Sequence, residues 1–136
     1  MHPFFNRLGL TAPLIQAPMA GVQNHRLAAA VCHAGGLGSL PAAMLSASDL
    51  QAQLQALSQA TDGPYNVNFF CHTPPVPDAA REAVWHRALR PYYAELGLSQ
   101  ADIVPGPGRA PFSDPVADVV EAFKPPVVSF HFGLPS

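Results

Sequence analysis

Apolar residues in this chain fall into short runs that alternate between two periods, and the alternation predicts an order of elements. Residues 13–17 (PLIQA) form an apolar run closed by Pro18 and read as a buried strand. Residues 24–34 carry a helix pattern, with Asn24 as N-cap and Leu27, Ala28, Val31 and Cys32 on one face. Gly35 and Gly36 end that helix, and residues 37–40 (LGSL) give a second short strand. A second helix starts at Ser46 or Ser48 and runs to Ser58, with Leu50, Leu54 and Leu57 spaced for one face. After the Asp62-Gly63-Pro64 turn, residues 65–70 (YNVNFF) are the most strand-like stretch. A long helix over 78–96 is expected to bend or break at Pro91, with Ala80, Val84 and Ala88 as its apolar positions. Residues 97–113, including PGPGRAP, read as irregular. A helix over 114–123 with Pro115 in its first turn and a fourth strand over 126–130 complete the pattern.

Strands alternating with helices predict an α/β domain built on a parallel sheet. The four candidate strands are nearly free of charge and read as apolar on both faces, as strands covered on both sides would be. Periodicity alone leaves an open sheet and a barrel equally available.

Composition narrows the function. The chain has 136 residues, 49% of them hydrophobic and 12% charged, which excludes intrinsic disorder. Seven Lys and Arg against nine Asp and Glu, with no basic run, argue against nucleic-acid binding. The sixteen prolines, where about seven would be usual, are dispersed and read as turn punctuation. No window approaches the roughly 18 apolar residues of a membrane span, and MHPFFNRLGL does not read as a signal peptide. Cys32 and Cys71 suggest neither a disulfide framework nor metal-ligand spacing, so no metal is expected and a reduced, cytoplasmic setting is.

In parallel α/β folds, ligands lie beyond the carboxyl ends of the strands. Those ends are residues 16–21 (QAPMAG), 39–41 (SLP), 68–72 (NFFCH) and 131–133 (HFG). Amides and small or apolar residues dominate, which suits a flat, conjugated, largely uncharged ring. Gln16 and Asn68 either satisfy neighbouring backbone or meet a ligand. The glycines of AGGLGS precede a strand, so they cap a helix rather than cradle a phosphate. Adjacent strand residues point to opposite faces, so Cys71 and His72 do not form a thiolate pair. His25, His33 and His86 read as helix-surface residues, whereas His131 ends a strand where a barrel keeps its site.

Four stretches in order, PLIQAPMAGV, AVCHAGGLGSL, YNVNFFCHTPP and PVVSFHFGLP, resemble the N-terminal half of the nitronate monooxygenase (2-nitropropane dioxygenase) family. The resemblance runs from about residue 7 to residue 135. It implies the first four β/α units of an FMN-binding TIM barrel, so residues 1–136 would be a single partial domain. Ala17, Pro18 and Met19 would line FMN, Asn68 would hydrogen-bond the isoalloxazine edge, and His131 would face the substrate. The implied reaction is oxidation of an alkyl nitronate by O₂ to a carbonyl compound and nitrite. The family's main catalytic His, in a GGH-type motif on a later strand, has no counterpart in these residues and is expected beyond the chain end. A complete barrel needs roughly 200 residues or more, so a fragment is expected. Its open edges would favour self-association, and flavin would bind weakly to the piece alone. A flavin-dependent enoyl-acyl-carrier-protein reductase and an inactive half-barrel remnant are the competing readings.

Overall fold

A computed structural model of the chain describes residues 2–103 and 108–135; residues 104–107, which include the start of PGPGRAP, lie outside the described residues. The elements are α1 (Pro3–Arg7), α2 (His25–His33), β1 (Gly38–Pro41), α3 (Ala47–Ala60), β2 (Tyr65–Phe70), α4 (Ala79–Glu95), a 3-10 turn (Gln100–Asp102), α5 (Asp114–Phe123) and β3 (Val127–His131). The described residues divide into two compact units. One comprises the chain up to Thr73 and again from Arg109; the other is Pro74–Gly108.

In the first unit β1, β2 and β3 are parallel and lie side by side in sequence order. The extended segment around Ile15 joins the other edge of β1 through one parallel bridge to Leu37. Order in space therefore follows order in sequence, as in the N-terminal half of a (β/α)₈ barrel. A doubly wound open sheet of order 3-2-1-4-5-6 would instead place its fourth strand beside its first.

Caps and apolar spacing place the helices. Asn24 caps α2 by accepting from the Arg26 amide, and Ser46 caps α3 by accepting from the Asp49 amide. Leu50, Leu54 and Leu57 of α3 are fully buried with Ala28, Ala29 and Cys32 of α2 against Leu40, Tyr65, Val67 and Phe69. Val116, Val119, Val120 and Phe123 of α5 pack on the same cluster. Burial of each large side chain contributes about 1.5–3 kcal/mol. Phe69, Phe112 and Phe130 add edge-to-face contacts, with centroids 5.0 Å apart for Phe69–Phe112 and 5.3 Å for Phe112–Phe130.

Several expectations are corrected. The 13–17 run is not a buried strand: it makes a single bridge, and Leu14 and Ile15 are half-exposed. Pro18 has no N–H to extend the ladder. Nor are the strands apolar on both faces. Tyr65, Val67 and Phe69 join the helix-side cluster, while Ser39, Asn66 and Asn68 are buried polar residues on alternate positions. The fourth strand is shifted by one residue and is only half-buried, with its sheet pairing on the β2 edge alone. Helix α1 was not anticipated.

The second unit holds α4, capped by Asp78, which accepts from the Ala80 and Arg81 amides. The helix continues through Pro91 rather than breaking there, losing one backbone donor. Ala80, Val84 and Ala88 are not core positions, and α4 has no buried residue.

Gly38 sits where α2 backbone meets β1. A Cβ there would run into the Ala28 carbonyl oxygen and lie 2.8 Å from Cys32 Sγ. Gly38→Ala is expected to destabilise the first unit by at least about 1–3 kcal/mol, seen as a lower urea midpoint. Burial lifts the Cys32 thiol above its ordinary 9.0, although backbone hydrogen bonding pulls it partway back. Burial, and then the nearby Cys32, lift Tyr65 above 10.0. Folding thus favours the protonated form of both groups. Stability should be insensitive to these groups below about pH 9 and fall as pH rises through their shifted values. Urea midpoints measured from pH 7 to 11 check this, and Cys32→Ala should remove the thiol's share of the fall.

Candidate active site

The missing rung at Pro18 explains the local build of the QAPM turn. Leu37 donates to the Leu14 carbonyl at 2.9 Å, and the Gln16 amide donates to the Leu37 carbonyl at 2.9 Å. The next rung would need an N–H from Pro18. The Gln16 side chain replaces it: Oε1 accepts from the Ser39 amide at 3.1 Å, and Nε2 lies 3.3 Å from the Ser39 carbonyl. Gln16 Nε2 also donates to Gln23 Oε1 at 2.7 Å, and Gln23 Nε2 donates to the Ala17 carbonyl at 3.1 Å. Gln16 therefore satisfies neighbouring backbone. The released turn carries an exposed Ala17, a partly buried Pro18 and an exposed Met19 at the end of the sheet.

The polar face of the strands carries a row of side chains in two hydrogen-bonded groups. Asn66 Nδ2 donates to Ser39 Oγ at 3.2 Å. Asn68 Nδ2 lies 2.9 Å from Ser129 Oγ, 3.2 Å from the Ser129 carbonyl and 3.0 Å from His131 Nδ1. The register makes this possible, since Asn68 is level with Ser129 and Phe70 with His131. An amide nitrogen can only donate, so His131 Nδ1 accepts and the ring proton sits on Nε2. With this amide orientation His131 presents its Nε2–H. Its ring stands edge-on to Phe70, centroids 5.9 Å apart.

The structure brings Asn68 and His131 into direct contact. It ties the turn that carries Ala17–Met19 to β1 through Gln23, Gln16 and Ser39, a separate set of hydrogen bonds. Three features were not among the predicted site residues. Ser39, Asn66 and Ser129 belong to the row, and their period-two spacing within apolar strands was the available signal. His72 carries a buried Nδ1, and Asn66 a buried Oδ1, with no hydrogen-bond partner among the described residues. Arg109 lines a cavity with Phe70, His72 and Phe132, and nothing in its irregular segment marked it. Among the described residues no cluster of His, Cys, Asp or Glu could hold a metal ion.

The row has no formal charge and ends in a donor amide and an imidazole. Such a surface can hydrogen-bond the edge of a flat heteroaromatic ring and keep one N–H for a second molecule beside it.

Comparison with known proteins places the chain. The nitronate monooxygenase family model matches residues 3–136. A nitronate monooxygenase of Paraburkholderia phytofirmans is 43% identical over 130 residues, covering 95% of this chain and 36% of that protein. Among solved structures, a nitroalkane oxidase from Streptomyces ansochromogenes superposes with a TM-score of 0.68 at 34% identity, over 98% of this chain and 37% of its own. FabK from Thermotoga maritima gives 0.61 at 25% identity, over 94% and 29%. The chain thus spans little more than a third of the length of the curated relatives it matches.

The His131 assignment is open to test. Nitrogen-15 NMR of the histidine rings should show His131 as the Nε2–H tautomer, and Asn68→Ala should convert it to a tautomer mixture. A dominant Nδ1–H form in the unsubstituted protein would contradict the assigned hydrogen bond.

Proposed function

Because the chain belongs to the nitronate monooxygenase family, we propose that residues 1–136 are the first four β/α units of an FMN-dependent enzyme that oxidises alkyl nitronates with O₂ to a carbonyl compound and nitrite. The observation that carries this reading is the uncharged row ending in Asn68 and His131, on the same parallel sheet whose β1 edge leads into the QAPM turn. Its donor set fits a flavin ring: amides for the polar edge, small and apolar residues for the face, and no carboxylate to repel an anionic substrate. Asn68 would hold the ring edge through Oδ1, since its Nδ2 is engaged by Ser129 and His131. Ala17, Pro18 and Met19 would lie against the ring. When bound, FMN supplies the electron transfer between substrate and O₂.

His131 takes the substrate side. Its Nε2–H donates to a nitronate oxygen, and Asn68 holds the ring in the tautomer that can do so. The main base would come from a later strand. Leu14 and Ile15, half-exposed at the sheet edge, would be covered by further barrel strands or by a second copy. A reduced, cytoplasmic setting accords with Cys32 and Cys71 as free thiols. A flavin-dependent enoyl-acyl-carrier-protein reductase is the second reading, and the FabK likeness favours it, at lower identity and TM-score.

The test is to mix the purified protein with FMN, desalt it and read the visible spectrum, then to add a nitronate and assay nitrite. Retained flavin with nitrite release is expected in an assembly that closes the barrel. Asn68→Ala should weaken FMN retention about tenfold, the cost of one hydrogen bond at a buried site. Consumption of reduced pyridine nucleotide without nitrite release would instead select the reductase reading.

A further inference from the structure

Beyond the row lies a cavity of about 360 Å³ lined by Phe70, His72, Arg109 and Phe132. Its rings stand edge-on to one another. Centroids are 5.0 Å apart for Phe70–Phe132, 6.2 Å for Phe70–His72 and 6.3 Å for His72–Phe132. The His131 ring contacts Phe70 and Phe132, so the cavity abuts the end of the polar row.

We propose that this cavity is the subsite that takes up the anionic substrate, with the Arg109 guanidinium as its counter-charge and the three rings as its apolar walls. The inference rests on the nitronate reading and adds to it the residue that recognises the charge. Four observations support it. The polar row itself carries no formal charge, whereas an anion leaving water needs a positive partner or strong donors. Arg109 is the one residue of fixed charge lining this cavity, and no ion pair to it is found among the described residues. Its segment is pinned at two points: the Ala110 amide donates to the Ala43 carbonyl, in the turn after β1, at 2.9 Å, and the Phe112 amide to the Phe70 carbonyl of β2 at 2.7 Å. Finally, Phe132 adopts φ +66, a conformation costly for a bulky side chain, and such strain collects at functional sites.

The geometry also selects the ligand class. A guanidinium presents two parallel N–H groups, which match a planar anion carrying two oxygens on one atom. The nitronate group is such an anion. The parent nitroalkane is neutral and would gain little from Arg109.

The test compares the unsubstituted protein with Arg109→Gln and Arg109→Lys. Arg109→Gln should raise KM for the nitronate roughly 10- to 100-fold with kcat little changed. It should leave KM for the neutral nitroalkane unchanged and flatten the salt dependence of nitronate KM. Arg109→Lys should recover part of the loss, keeping the charge without the fork. A second readout needs no turnover. In a nitrogen-15 histidine NMR titration with nitrate, His72 and His131 should shift saturably in the unsubstituted protein and not in Arg109→Gln. If the unsubstituted protein oxidises nitronates and Arg109→Gln changes neither KM nor the nitrate titration, the subsite is overturned while the function stands. If an assembly that closes the barrel does not oxidise nitronates but the protein binds nitrate through Arg109, the subsite stands and the nitronate reading falls.

Discussion

Strand β2 is hydrogen-bonded along both edges, to β1 and to β3, so its side chains can reach only the two faces of the sheet. One face is taken by the helices, and Tyr65, Val67 and Phe69 fill it. Asn66 and Asn68 must then project to the other, where Asn68 is 2% exposed and Ser39 is fully buried. A buried amide without partners is costly, so Asn68 Nδ2 is satisfied sideways by Ser129 and His131 and Asn66 Nδ2 by Ser39, while Asn66 Oδ1 has no hydrogen-bond partner among the described residues. That requirement links β1 to β2 near their starts and β2 to β3 toward their carboxyl ends. It also sets the tautomer of the imidazole on which the proposed chemistry depends.

The same accounting explains the first edge. Once Pro18 withholds its N–H, the buried Ser39 carbonyl loses its ladder donor, and the Gln16 and Gln23 side-chain amides fill the gap. What resembles a strand in composition is therefore a one-rung attachment followed by a turn. The turn is the useful part, because it carries Ala17, Pro18 and Met19 away from the ladder. A longer first strand would hold those residues in the sheet.

Between β2 and α5 the chain leaves the first unit at Thr73 and rejoins it at Arg109. The rejoining segment bridges Phe70 at Pro111, which returns the chain to the strand it left. The intervening unit contains a helix with no buried residue, on which Trp85 is 62% exposed. The crossover that covers the sheet is made by α5 instead, whose Val116, Val119, Val120 and Phe123 pack on the core.

Much of this was legible in the sequence because local chemistry decides it. The Leu50, Leu54, Leu57 spacing, the Asn24 and Ser46 caps and the YNVNFF strand each carry their own signal, and the structure has them where that signal falls. The alternation of Asn66 and Asn68 with apolar residues was also in the sequence, although low charge hid it behind an apparently two-sided apolar strand. Tertiary structure alone decided which polar groups meet. Asn68 and His131 are 63 positions apart, and only the parallel register of β2 with β3 brings them to 3.0 Å. Likewise, Arg109 lies in a stretch without periodicity, and backbone hydrogen bonds from Ala110 to the turn after β1 and from Phe112 to β2 set it beside Phe70. Local sequence determines which elements form; the pairing of distant strand ends, driven by burial of groups that must find partners, determines the site.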